Sequence, residues 1–100
     1  MKLTIQSIHF TATDKLKHYI QKKSTKLDQF FDRIQEGTVK LKLEPEVSGA
    51  NKLVEMQVSV PGDVLVARVQ AKSFEAATDM VLDKMKTRLK RYKGRKRARA

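Results

Sequence analysis

Ten of the 22 lysines and arginines fall within residues 84–100, a stretch that contains no acid. Six of them, Lys84, Lys86, Arg88, Lys90, Arg91 and Lys93, crowd into ten positions. Cations at this density neutralise phosphates, and they bind a nucleic-acid backbone without reading its bases. If the run is helical, Lys86, Lys90, Lys93 and Arg97 share one exposed stripe, and Lys84, Arg88, Arg91 and Arg95 make a second flank. The other 83 residues hold 12 basic side chains and all 11 acids. A nearly neutral body therefore carries a strongly basic C-terminal segment, for a net charge of +11. Positive charges without counterions repel one another, which points to a polyanionic partner, most often nucleic acid. A solvated helix face or a solubilising tail is the bland alternative.

Other chemistry is thinly represented. His9 and His18 are the two histidines, and cysteine is absent. No zinc ligand set, disulfide framework or cysteine nucleophile can be assembled. Asp79 and Asp83 share a helical face, but they read as partners for Lys86 and Lys90 and as acids favoured in the N-terminal half of a helix. No glycine-rich run opens a helix to cradle phosphate. No enzyme, metal, cofactor or small-molecule substrate is expected. Six aromatic residues are present, and Tyr19, Phe30, Phe74 and Tyr92 fit core positions. Without an aromatic pair on an open sheet face, recognition by backbone and shape is favoured over base stacking.

The elements that must hold these residues follow from periodicity. Residues 1–10 alternate, with Leu3 and Ile5 on one face, and read as a strand. Thr13 is a helix N-cap with Asp14 in the first turn. Leu16, Tyr19, Ile20, Leu27, Phe30 and Ile34 then follow at helical spacing, a long helix ended by Glu36-Gly37. Its flanks carry Lys22, Lys23 and Lys26. Val39, Leu41 and Leu43 mark a second strand, and Val54, Met56, Val58 and Val60 a third. Pro61-Gly62-Asp63 makes a turn into a fourth, with Leu65, Ala67, Val69 and Ala71 on its apolar face. Ser73 caps a last helix, whose apolar face is Phe74, Ala77, Val81, Met85, Leu89 and Tyr92, until Gly94 interrupts it.

The expected architecture is α+β, a single β-α-β-β-β-α domain with a four-stranded sheet and two helices packed on one face. The helical crossover suits a parallel first pair, and the short loops suit an antiparallel meander for the rest. The opposite sheet face, with Lys40, Lys42, Glu55, Gln57, Arg68 and Gln70, should meet water. Residues 1–93 form the domain, and 94–100 a basic flexible tail. If the two helices lie side by side, Lys22, Lys23 and Lys26 border the same surface as the last helix. No apolar run could span a bilayer, and Met1 leads into a strand rather than a signal peptide, so a cytoplasmic protein is expected. A membrane-surface role is disfavoured, because the basic helix needs its apolar face for the core.

Two segments carry a family resemblance. "MKLTIQSIHFTATDKLKHYIQKKSTKLDQFFDRI" has Thr13, Leu16, Tyr19, Ile20, Lys23, Lys26, Leu27 and Phe31 in family-like positions. "AATDMVLDKMKTRLKRYKGR" matches at Ala77, Asp79, Asp83, Lys84, Leu89, Arg91 and Lys93, and "VPGDVLVA" is similar to the family's hairpin. The sequence resembles the short ribosome hibernation-promoting factors, also called ribosome-associated inhibitors or sigma-factor modulation proteins. That resemblance implies a stress-response or stationary-phase factor that binds rRNA of the small ribosomal subunit. It would block translation by occupying the places of mRNA and tRNA. By position, the implied rRNA contacts are Lys22, Lys23, Lys26, Lys84, Lys86, Arg88, Lys90, Arg91 and Lys93, while Asp79 would orient neighbouring basic side chains. Ser7 and Glu75 depart from the family, where many members have Gly and Tyr. Long members add a C-terminal dimerisation domain absent from this sequence, so any pairing of ribosomes is expected to need another factor.

Two further readings stand beside this one. A free double-stranded-RNA-binding domain would be α-β-β-β-α with lysines at the start of its last helix, where this chain has Ser73-Phe74-Glu75-Ala76. A protein-interaction module regulating a transcription factor would hold its partner through nuclease and high salt.

Overall fold

A computed structural model describes residues 1–45 and 49–98. Strand β1 (Lys2–Ile8) leads to helices α1 (Asp14–Ser24) and α2 (Lys26–Phe30). Strands β2 (Glu36–Leu43), β3 (Lys52–Val60) and β4 (Asp63–Ala71) follow, and helix α3 (Phe74–Ala98) closes the chain. The sheet order is β1-β2-β3-β4, with β1 parallel to β2 and the other pairs antiparallel. The expected fold class and topology are those observed.

Alternation does the sorting. Val39 and Leu41, Val54, Met56 and Val58, and Ala67 and Val69 point to one face and are buried. Ile20 and Leu27 of the first helices and Ala77, Val81, Met85 and Leu89 of α3 cover that face. On the opposite face Lys40 stands beside Glu55, which stands beside Arg68. Arg68 Nε lies 3.7 Å from Glu55 Oε2, so the solvent face partly neutralises itself.

The caps behave as their chemistry requires. Thr13 Oγ1 accepts from Leu16 N at 3.1 Å, and Ser73 Oγ accepts from Ala76 N at 3.0 Å. Gly62 has φ of +77° in the β3–β4 turn, a conformation open to glycine at little cost.

Two helix boundaries differ from expectation. The first helix does not run to Glu36-Gly37, which instead open β2. It breaks at Thr25, whose hydroxyl donates to Lys22 O at 2.8 Å, and α2 ends at Phe30. Phe31 is then extended, with φ −150° and ψ 115°, and turns its ring into the core. Phe31 is 8% exposed, whereas Phe30, expected inside, is 37% exposed.

At the other end α3 passes through Gly94 to Ala98. Contacts on both sides of that residue hold the helix down. Tyr92 Oη donates to the Pro61 carbonyl, and its ring meets Phe31 edge-on at 5.7 Å. Arg95 pairs with Asp63 at 3.3 Å. The Arg97 side chain, Arg99 and Ala100 of the expected tail lie outside the described residues.

Candidate nucleic-acid interface

Helix α3 lies on β3 and β4 with α1 and α2 along one side of it, and a cleft opens between the helices. Lys23, Lys26 and Leu27 line one wall of the cleft, and Asp79, Leu82, Asp83 and Lys86 line the other. Leu27 and Leu82 are buried at its floor. Three lysines and two carboxylates therefore surround a small apolar floor.

The walls are tied together near α1. The Tyr19 hydroxyl donates to the Asp79 carboxylate, 2.8 and 2.9 Å from its two oxygens. This bond holds the Tyr19 phenol above its ordinary pKa, and desolvation and the negative charges of Asp79 and Glu75 act the same way. Lys23 Nζ sits 5.5 Å from the centroid of the same ring. Asp79 thus anchors a tyrosine directly and reaches the lysine through that ring.

Farther along, Lys90 and Lys93 border a second hollow with Phe30 and Gly94. Lys93 Nζ donates to the Phe30 carbonyl at 3.4 Å. It also stands 5.1 Å from the Phe30 ring centroid and 5.7 Å from that of Phe31. The amine caps the end of α2, where carbonyls lack helical partners, and gains from two ring faces as well.

The nine basic residues singled out from the sequence do not share one groove. Lys23, Lys26, Lys86, Lys90 and Lys93 border the two hollows. Lys22 is exposed on α1 and lines neither. Lys84, Arg88 and Arg91 lie on the other flank of α3, toward the sheet edge. Lys84 Nζ donates to the Arg68 carbonyl of β4 at 3.3 Å. The expected ion pairs of Asp79 and Asp83 with Lys86 and Lys90 do not form among the described residues. Periodicity missed Phe30 as a surface residue, because the break at Thr25 shifts its phase.

No group of three or more histidine, cysteine or acidic side chains converges on a metal position among the described residues. Among them, too, no helix is long and apolar enough to cross a membrane.

Known proteins share this fold. A ribosome hibernation promoting factor from Pseudomonas putida is 29% identical over 93 residues, covering 93% of this chain and 87% of the relative. A ribosomal subunit interface protein from Coxiella burnetii has the same fold, with a TM-score of 0.85 at 19% identity, covering 94% of this chain and 99% of that one. The N-terminal domain of Protein Y from Thermus thermophilus superposes with a TM-score of 0.78 at 26% identity, covering 92% and 99% of the two chains. The family model described as "Sigma 54 modulation protein / S30EA ribosomal protein" matches residues 3–97, and the chain belongs to that family.

Proposed function

We propose that this protein is a ribosome hibernation factor that binds small-subunit rRNA with its helical layer and halts translation by occlusion. The observation that carries the reading is the lysine-rimmed cleft between α1–α2 and α3, in a chain whose relatives are named for ribosome hibernation. Cations at the rim of a cleft suit a phosphate backbone, which needs charge at intervals and no base-specific geometry. No catalytic constellation is required: the protein acts in the cytoplasm by filling the space that mRNA and tRNA would take.

Sucrose-gradient sedimentation with purified ribosomes tests this. The protein is expected to travel with small subunits and whole ribosomes and to reduce binding of mRNA and initiator tRNA as it saturates them. Unchanged mRNA and tRNA binding at saturation would refute occlusion. A shift of ribosomes into dimers would add a pairing activity to the same site. The family description also names sigma-54 modulation. A stoichiometric protein partner that survives nuclease and high salt would favour that reading instead.

A further inference from the structure

Strand β4 lies at an edge of the sheet and, among the described residues, pairs with β3 alone. The tight turn at Pro61-Gly62 closes on Val60 opposite Asp63, and antiparallel pairs then alternate between bonded and unbonded. Leu65, Ala67 and Val69 thus bond to β3, and the N–H and C=O groups of Val64, Val66, Arg68 and Gln70 point out of the sheet. Contacts at this edge agree with that phase. Val64 N donates to Asp63 Oδ1 at 2.8 Å, and the Arg68 carbonyl accepts from Lys84 Nζ at 3.3 Å. The outward backbone groups of Val66 and Gln70 have no partner among the described residues. Such a row of open donors and acceptors is a template for another strand.

A strand laid along this edge would meet different chemistry on its two faces. On the open face of the sheet Val64 and Val66 are 50% and 40% exposed, apolar neighbours for the residues opposite them. On the helical face stands the margin of α3 that leans over β4, where Lys84 reaches the Arg68 carbonyl and Arg88 and Arg91 are exposed. Among the described residues neither arginine has a carboxylate within 4.0 Å. Successive side chains of a strand point to opposite faces, so the complementary strand alternates apolar with acidic residues. A second copy of this chain fits poorly. Pairing β4 with β4 would set two such basic margins side by side at about 8–10 Å, the distance of packed helices. A phosphate backbone would meet the cations, but it offers no donor to the outward carbonyls and nothing to the valines.

We propose that the β4 edge is a docking site for an extended acidic segment of another protein, bound as an added strand whose side chains alternate between apolar and acidic. Its backbone takes up the outward groups of Val66 and Gln70, as in other cases of strand addition to a sheet edge. Its apolar residues cover Val64 and Val66, and its carboxylates face Lys84, Arg88 and Arg91. The Lys84 amine leaves the Arg68 carbonyl for a carboxylate, which frees one more acceptor for the incoming strand. The site uses the sheet edge and does not depend on the RNA-binding reading.

Amide hydrogen exchange of the full chain, read residue by residue by NMR, tests the site with a short capped peptide alternating valine and glutamate. With the peptide at roughly ten times its Kd, exchange at Val66 and Gln70 should slow roughly tenfold. A peptide alternating valine and lysine should leave both amides unchanged. Val66→Pro removes an outward N–H that β3 does not use, a place where an edge strand tolerates proline, and should abolish the protection at Gln70. Arg88→Gln/Arg91→Gln, on the surface of α3, should weaken binding of the glutamate peptide roughly fivefold with unchanged circular dichroism. The site is overturned if the glutamate peptide leaves both amides unchanged, if the lysine peptide protects them equally, or if Arg88→Gln/Arg91→Gln binds as tightly as wild type. It is equally overturned if a short RNA duplex slows the same amides, which would make the edge part of an RNA surface. Slowing in the peptide-free protein as its concentration rises would overturn it too, by making a second copy the occupant.

Discussion

The Tyr19 hydroxyl on Asp79 joins α1 to α3 through one proton, across 60 positions of sequence. Helical spacing places Tyr19 on the apolar stripe and Asp79 among the basic residues, but it cannot pair them. That pairing depends on where two distant helices cross. Removing the hydroxyl with Tyr19→Phe should cost about 1 kcal/mol, the usual net worth of one such bond. In a domain of this size that lowers Tm by roughly 4–8 °C. The pH dependence has a definite sign. The phenol is held above its ordinary value, so the folded state favours the protonated form. The contribution is complete below the unfolded-state pKa of about 10 and shrinks as pH rises through the higher folded value. Thermal melts of both proteins across the alkaline range should show a constant gap to about pH 9 that closes above pH 10. The two proteins differ only in the hydroxyl, so the difference isolates Tyr19. A gap that stays open at the alkaline end would mean that the hydroxyl is not bonded to the carboxylate.

At the level of elements, the sequence is most legible where one local pattern acts alone. The four strands, their pairing and the caps at Thr13 and Ser73 are all readable from alternation and side-chain chemistry. The boundaries that moved are those where tertiary contacts outweigh a local signal. The apolar spacing continues unbroken through Leu27, Phe30 and Ile34, yet α2 ends at Phe30, and Phe31 is extended with its side chain packed in the core. At Gly94 local propensity favours a stop, but Tyr92 on Pro61 and Arg95 on Asp63 pin the helix on both sides. The same geometry makes a prediction opposite to the local signal. Gly94 lies inside a continuous helix, and a Cβ built there meets nothing within 4 Å. Gly94→Ala should therefore stabilise the protein by about 0.5–1 kcal/mol, by removing the flexibility that glycine brings to a helix interior. Thermal unfolding temperature and the 222 nm signal should both increase. A lower Tm would mean that glycine is needed there for its backbone freedom and that the helix does not pass through.

The molecule as a whole is a polarised plate. The helical layer carries most of the cations that lack an ion pair among the described residues, while across the sheet Lys42 pairs with Glu44 at 3.6 Å and Arg68 with Glu55 at 3.7 Å. The sequence reveals the charge excess and its C-terminal address. It cannot show that one helix divides the excess between two margins, because that depends on which neighbour lies on each side of α3. Net charge alone and a patterned surface make different forecasts for ribosome binding, and matched neutralisations separate them. Lys40→Gln/Lys42→Gln on the open face and Lys86→Gln/Lys90→Gln on the helical layer each remove two charges. If at least six phosphates are neutralised, wild-type affinity should fall roughly a thousandfold between 50 and 200 mM salt. Losing two phosphate contacts at Lys86 and Lys90 should weaken binding and lower the slope of log affinity against log salt by about two. Losing two charges at Lys40 and Lys42 should leave that slope unchanged, because those amines face away from the bound backbone. Equal losses from the two pairs would mean that the ribosome attracts the net charge rather than this surface, and the helical layer would lose its claim to be the interface.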